Sequence, residues 1–540
     1  MYLRSDIAAK TKMRRLSVII TIMMLTLTGW AQNQFILGGE LSNSAATSVS
    51  DIDEVLPRMK ALGLNTVLVP VYWEFLEPSE GKMDFTLVDR TIDVARQQSL
   101  KIVPLWFGAW KNSMSCYAPA WFKRDVKRFP RAVTAEGKPL EIASCFSDNV
   151  LQADLKAFSA LMQHIAEKDP QREVVIMMQI ENEIGMLESA RDHSPLAEKA
   201  YKEERWAERY GTDDYADEKF MAIHYARYVE HLAKAARRIH DMPLYVNAAM
   251  NSRGRKPGEY PSAGPLAHLA DIWKAGAPSI DILAPDIYDT GFKSWASQYA
   301  MPLRPQDGGK VKNRLFIPES RCCENSGVRA LYTFGEHQAL GFSPFAIDQA
   351  SPKETESVTQ AYNLLRQVYS LTSSHSPLTS YGLLFDQDDN ERVIDDEGVV
   401  MTCRHYFTLP WDPRATDGST WPEGGAMLIR LGKLDYLLAG SGVVIDFKTR
   451  TEKQQEQQKK LGEDGFAEAG THHSPLTTHL SPQFSGSRLG LLSVDEVTID
   501  QQGQMQYLRR HNGDQSHQGR HARISVGDWK ILHIQLYEYK

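Results

Sequence analysis

Two acidic residues, Glu181 and Glu183, flank Asn182 near the end of the stretch VVIMMQIENEIGM, which runs from Val174 to Met186. The seven residues before Glu181 carry no charge, begin with β-branched side chains and show no polar face at helical spacing. They read as a buried strand. A carboxylate at the tip of such a strand has either a structural partner or a reacting group to serve. General acid/base chemistry asks for a second carboxylate, and Glu319, at the end of the apolar stretch RLFIPES, offers one. Glycoside hydrolysis with retention uses such a pair about 5 to 5.5 Å apart. One carboxylate attacks the anomeric carbon; the other protonates the leaving oxygen and then activates water. The charge of the first raises the pKa of the second, and esterification of the first removes that repulsion. This chemistry requires no metal and no cofactor.

The rest of the chain has to bring Glu183 and Glu319 together. Short apolar runs alternate with amphipathic stretches from Gln34 onward, the rhythm of repeated βα units. Eight strand candidates appear: QFILGG, TVLVPV, KIVPLWF, VVIMMQI, LYVNAAM, DILAPDIY, RLFIPES and FSPFAID. Helical segments such as DIDEVLPRMKALG and DLKAFSALMQHIAEK separate them, each with an apolar stripe. The pattern predicts a (β/α)8 TIM barrel over residues 32–377, with its functional groups at the C-terminal ends of the strands. Polar and aromatic groups gather at those ends: Glu40, Trp73, Glu74, Trp106, Trp110, Glu183, Asn247, Asp286, Tyr288 and Glu319.

Past residue 378 the helical period gives way to short alternating segments, among them AMLIRLG and WKILHIQLYEY. They predict a smaller β-sandwich-like domain over 378–540. Inside it, 449–483 is polar and poor in large apolar residues, so it reads as an exposed insertion. Its His472, His473 and His479 lack partners at metal-ligand spacing and are assigned to a solvated loop. Trp411 and Trp421 of this domain are candidates either for stacking on sugar or for filling a domain interface.

Composition narrows the function classes. The 540 residues carry 61 basic and 68 acidic side chains, mixed along the chain, for a net charge of -7. Nothing in this balance offers a basic face to nucleic acid. Residues 1–31 join the basic KTKMRR to the apolar LSVIITIMMLTLTGWA, ahead of a polar QNQ, the pattern of a secretory signal peptide. Met13 is an alternative start. The expected address is therefore export, to the periplasm or the medium, without a membrane span. Such an address permits a disulfide, for example between Cys116 and Cys145, among the five cysteines.

The stretch QIENEIG resembles the Q-[VI]-E-N-E-x-G motif of glycoside hydrolase family 35 β-galactosidases, and its Asn-Glu pair resembles the acid/base signature of clan A glycoside hydrolases. VPVYWEFLEPSEGKMDF is similar to the second-strand segment of families 35 and 42. FGAWKN and YAPAWF resemble the third-strand region, and PES stands where the nucleophile is placed. The resemblance implies that Glu183 is the acid/base, Glu319 the nucleophile, Asn182 the partner of the sugar 2-hydroxyl and Tyr288 the donor to the nucleophile. Glu181 then supports its neighbours. Trp73, Trp106 and Trp110 are candidates for stacking on the sugar, and Glu40, Glu74, Asn112 and Asn247 for binding hydroxyls. Two departures bear on the sugar. Phe107, Gly108 and Ala109 precede Trp110 where family 35 carries Cys-Ala-Glu, and GFSPFAID lacks a Trp found in many clan A members.

The resulting expectation is a retaining exo-β-glycosidase acting on a carbohydrate, foremost a β-galactoside. The same machinery acting on a β-glucoside, β-xyloside or α-L-arabinopyranoside, and a non-catalytic carbohydrate-binding protein, are the competing readings. Two facing carboxylates that repel one another weigh against the last.

Overall fold

The computed structural model describes residues 35–251, 254–300, 312–372, 378–456 and 486–540. Residues 37–540 form one compact unit. The segment read as a signal peptide, most of the polar insertion and its three histidines lie outside the described residues. Among the described residues, no helix is long and apolar enough to cross a membrane.

Eight parallel strands close into a barrel: β1 (Ile36–Glu40), β2 (Thr66–Tyr72), β3 (Lys101–Phe107), β6 (Met178–Gln179), β7 (Leu244–Ala249), β8 (Ile282–Ile287), β9 (Phe316–Ser320) and β10 (Gly341–Pro344). A hairpin of β4 (Arg131–Val133) and β5 (Pro139–Ala143) interrupts the passage from β3 to β6. The barrel order is β1-β10-β9-β8-β7-β6-β3-β2, the arrangement anticipated from the eight apolar runs. Helices start where side chains cap them. The hydroxyls of Ser48, Ser147 and Ser194 and the carboxylate of Asp213 accept backbone N–H groups one turn on.

The fourth barrel strand is short in its ladder. Only Met178 and Gln179 pair regularly, although Ile176 N–H still reaches Ile102 and Ile180 N–H reaches Tyr245. The shortening follows from what comes next, because Glu181 and Glu183 both adopt left-handed backbone, with φ of 56° and 48°.

Beyond the helix Pro352–Thr372 the described residues form ten further strands: β11 (Ser380–Phe385), β12 (Glu391–Asp396), β13 (Val399–His405), β14 (Gly424–Gly432), β15 (Asp435–Ser441), β16 (Val443–Thr449), β17 (Arg488–Ile499), β18 (Met505–Arg510), β19 (Ala522–Ile524) and β20 (Lys530–Tyr539). They form a six-stranded sheet, β11-β14-β15-β20-β17-β18, and a four-stranded one, β12-β13-β16-β19. Apolar side chains of both, including Leu428, Leu438 and Leu532 from one and Met401 and Ile445 from the other, share a single core. That makes a sandwich.

The sandwich grips the helix Ser326–His337, which directly follows β9. Arg329 pairs bidentately with Glu423 at 2.7 and 2.6 Å, and Glu336 pairs with Arg392. The Arg329–Glu423 pair is largely shielded from solvent, which strengthens it relative to a surface pair, whereas Arg392 is partly exposed. The helix that follows the Glu319 strand is thus tied to the sandwich.

All five cysteines are free, so the disulfide permitted between Cys116 and Cys145 is not formed. Trp421 is half-buried, stacked on His405 and donating to the Arg414 carbonyl. Trp411 is exposed and stacks on His517.

Candidate active site

The chain leaves β6 through two left-handed residues, a conformation that costs energy for a side chain with a Cβ and is tolerated where surrounding bonds enforce it. Those bonds are present. Glu183 N–H donates to Asn247 Oδ1 at 3.0 Å, Asn182 N–H to the Trp110 carbonyl and Met186 N–H to the Ser262 carbonyl. In return, Asn112 and Ser113 N–H groups donate to the carbonyls of Asn182 and Glu183. The motif glycine, Gly185, is required here because a Cβ would lie 2.9 Å from the Ser262 carbonyl oxygen.

Glu181 does its work behind this turn. Its carboxyl accepts the N–H groups of Trp110 at 2.8 Å and Ala109 at 3.4 Å. Burial, and then the neighbouring Asp154, push it well above the usual carboxylate range, and burial raises Asp154 as well. The two carboxyls hold a proton between them, while Asp154 also accepts Trp106 Nε1 and Tyr228 OH.

Glu183 and Glu319 face one another across the barrel mouth. Glu183 is 5% exposed and Glu319 2%. An oxygen from each, together with one from Asp286, lies within 4.8 Å of the others. Tyr288 OH donates to Glu319 Oε2 at 2.7 Å, and Asn247 and Asn182 Nδ2 donate to Oε1 at 3.2 and 3.3 Å. Three donors on one carboxyl suit an anion. Glu183 is different: burial and then the charge of Glu319 raise its pKa to about 7, against the downward pull of Lys111, Asp286 and Asn112. Asn112, exposed at the rim, donates through Nδ2 to Glu183 Oε2.

Two further carboxyls complete the floor. Glu40, at the tip of β1, is fully buried and faces Glu319, near enough for a protonated Glu40 to hydrogen-bond the Glu319 carboxylate. Asp286 accepts Asn247 Nδ2 at 2.8 Å through Oδ2 and, when protonated, hydrogen-bonds Glu183. Burial, followed by Glu319, drives both well above the carboxylate range. Tyr288 is likewise pushed up by burial and Glu319, so it stays a donor. Lys111, 3% exposed and absent from the sequence-based candidates, places Nζ 3.9 Å from Glu183 Oε2. Its ammonium answers the cluster; three carboxylates close enough for a metal ion already have a cation beside them.

Several candidates lie elsewhere. Trp73, Trp106 and Trp110 are fully buried in the barrel wall and cannot stack on a sugar. Trp73 Nε1 donates to Glu77 and its ring packs on Phe122; Trp106 binds Asp154 and packs on Phe158; Trp110 meets Tyr225 and Tyr228 edge-on. Glu74 is half-buried beside Cys116 and Tyr117 and makes no hydrogen bond to Glu183 or Glu319. Asn112, Asn182, Asn247, Glu40 and Tyr288 do gather at the carboxylates. Lys111 and Asp286 are the members that sequence reasoning did not assign, although both occur in stretches it singled out. A separate apolar cavity of about 340 Å³, lined by Val69, Tyr72, Leu87, Ile92, Pro104 and Val175 among others, touches none of the site carboxylates.

Comparison with known proteins places this barrel in context. Residues 45–230 match the glycoside hydrolase family 42 β-galactosidase profile, and residues 358–523 match a domain of unknown function, DUF5597. The first span contains Glu183 and neither contains Glu319. A β-galactosidase of Thermus thermophilus is 25% identical over 279 residues, 46% of this chain and 40% of that protein. A second, from a Thermus species, is 24% identical over the same shares. The chain thus spans less than half the length of these curated relatives. Among solved structures, a family 42 β-galactosidase from G. stearothermophilus aligns with a TM-score of 0.47 and 16% identity, covering 64% of this chain and 58% of that one. The chain resembles family 42 β-galactosidases in its barrel and continues into the DUF5597 region.

Proposed function

We propose that the protein is a retaining exo-β-glycosidase that releases terminal β-D-galactose by double displacement. The observation that carries this reading is the pairing of Glu183 and Glu319: two buried carboxyls with oxygens within 4.8 Å, one poised to hold a proton near pH 7 and the other supplied with three donors. A spacing this short fits retention, since inversion needs about 6.5 to 9.5 Å for an intervening water. Glu319 attacks the anomeric carbon while Glu183 gives its proton to the departing oxygen. With Glu319 esterified, its repulsion on Glu183 is gone, and Glu183 takes a proton from the water that attacks the same carbon and frees Glu319. In this reading Asn182, whose Nδ2 donates to Glu319, also holds the sugar 2-hydroxyl.

Galactose is supported by the names of the matching profile and of the Thermus relatives. Export through residues 1–31 is part of the same proposal, with N-terminal sequencing of the mature protein as its check. The decisive test of the chemistry is hydrolysis of p-nitrophenyl β-D-galactopyranoside by the wild type and by Glu319→Ala with added azide. Loss of activity with rescue as α-galactosyl azide supports the assignment. A wild type that ignores the galactoside but cleaves another aryl β-glycoside keeps the chemistry and removes the sugar; inactivity on the whole panel removes the reading.

A further inference from the structure

We infer that Lys111 is the fixed countercharge of the active site, a positioning residue whose ammonium faces the negative charge as it passes from Glu319 to Glu183 and back during turnover. The inference rests on the glycosidase reading and concerns a residue that reading does not need. Its basis is the geometry of the mouth. Lys111 extends from the turn after β3, over the ring of Phe107, to a point 3.9 Å from Glu183 Oε2. Around it stand Glu40 from β1, Glu183 from the end of β6, Asp286 from β8 and Glu319 from β9, with Tyr288 bound to the last. Five ionisable groups of this kind, each no more than 5% exposed, survive burial only if their charges nearly cancel.

The cancellation holds in both halves of the cycle. In the free enzyme burial and Glu319 favour the protonated forms of Glu40, Asp286 and Glu183, and the charge that Lys111 answers is that of Glu319, the carboxyl supplied with three donors. In the first half-reaction the bond from the anomeric carbon to the leaving oxygen breaks, a bond to Glu319 forms, and the Glu183 proton ends on the leaving group. Glu319 is then a neutral ester, Glu183 an anion, and Lys111 still the cation. In the second half-reaction water forms its bond to the carbon, the ester bond breaks and the water proton returns to Glu183. No charge enters or leaves, and the ammonium need not move. Because Asn112 and Lys111 both address Oε2 of Glu183, the transferable proton belongs on Oε1.

This role is distinguishable from simple structural support. Lys111→Met should move the alkaline limb of kcat/KM upward by about one pH unit or more, since an unscreened Glu183 parts with its proton less readily. On 2,4-dinitrophenyl β-D-galactopyranoside, whose departure needs no acid, kcat should fall at least about tenfold, because Glu183 must act as base in the remaining half-reaction. Lys111→Arg should restore both readouts, and ethylammonium should partly rescue Lys111→Ala. A folded Lys111→Met with the wild-type alkaline limb and kcat overturns the inference. If neither Lys111→Met nor Lys111→Gln folds while Lys111→Arg does, the charge serves the fold and the catalytic part of the inference is overturned. A wild type inactive on every aryl glycoside sinks the hydrolase reading itself, a result separate from either of these.

Discussion

Replacing Glu183 with Gln should abolish hydrolysis and at the same time stabilise the protein at alkaline pH. In the folded chain the Glu183 pKa stands near 7 against 4.5 for an unstrained carboxyl. The folded state therefore holds its proton more tightly than the unfolded state does, so between pH 4.5 and about 7 folding is accompanied by proton uptake. By linkage, wild-type stability contributed by this group is complete below pH 4.5, declines as pH rises, and is lost above about 7. At about 1.36 kcal/mol per pH unit the loss amounts to roughly 3 kcal/mol. A Gln, neutral at every pH and similar in shape, does not pay this penalty. Lys111 loses one partner in the variant, which trims the gain, yet keeps Glu319, Glu40 and Asp286 around it. Thermal unfolding followed by circular dichroism at pH 5 and pH 8.5 should show nearly equal midpoints at the lower pH and a variant several degrees more stable at the higher. A variant no more stable than the wild type at pH 8.5 would refute the claim that burial and Glu319 hold a costly charge at this position.

Three other substitutions probe the groups behind and beside the carboxylates. Tyr288→Phe removes the 2.7 Å donor to Glu319 and should lower kcat by roughly 10 to 100-fold, the worth of one hydrogen bond to a charge, with the alkaline limb unmoved in a pH–rate profile. Glu181→Gln should fold and remain active, because an amide still accepts from Trp110 and can donate to Asp154. Glu181→Ala instead leaves buried groups unpaired and should cost about 3 kcal/mol in a denaturant melt, with kcat falling as Asn112 drifts from Glu183. Trp73→Phe should lower thermal stability by about 1 to 3 kcal/mol through loss of the Glu77 bond and of packing, while leaving KM for the aryl galactoside unchanged. A raised KM would return Trp73 to the sugar.

Much of the fold is legible in the sequence because a parallel barrel writes itself as short apolar runs between amphipathic helices, and eight such runs correspond to the eight barrel strands. Glu183 and Glu319 stand out for a related reason: a carboxylate at the end of an apolar strand has no hydrophobic explanation. The tryptophans mislead because residue type does not say which side of the wall a side chain takes. Trp106 and Phe107 are adjacent in β3 and point opposite ways, Trp106 outward to Asp154 and Phe158 of the helix Asp148–Lys168, Phe107 toward Lys111. Lys111 is legible only in three dimensions. Its meaning comes from four carboxyls on four other barrel strands or their ends, and nothing local in FGAWKN marks it.

The protonation of Glu40 and Asp286 bears on what the pocket can recognise. An ionised carboxylate offers only acceptors, and a site lined by four of them would repel itself apart before it met a substrate. Burial and Glu319 raise both well above the usual carboxylate range and so favour the protonated form, a hydroxyl donor as well as an acceptor. The carboxyls of Glu40 and Asp286, hydrogen-bonded to Glu319 and Glu183, and the unpartnered Oδ1 of Asn182 then put donors and acceptors around the reacting pair. A ligand that satisfies such a set must carry several hydroxyls, each able to give and to take a hydrogen bond, and must add no charge of its own. A neutral sugar ring meets both demands, whereas a uronic acid would place a second anion among groups whose charges already cancel. In the proposed glycosidase, the charge economy that lets the acids be buried would therefore also favour a neutral glycoside over a charged one.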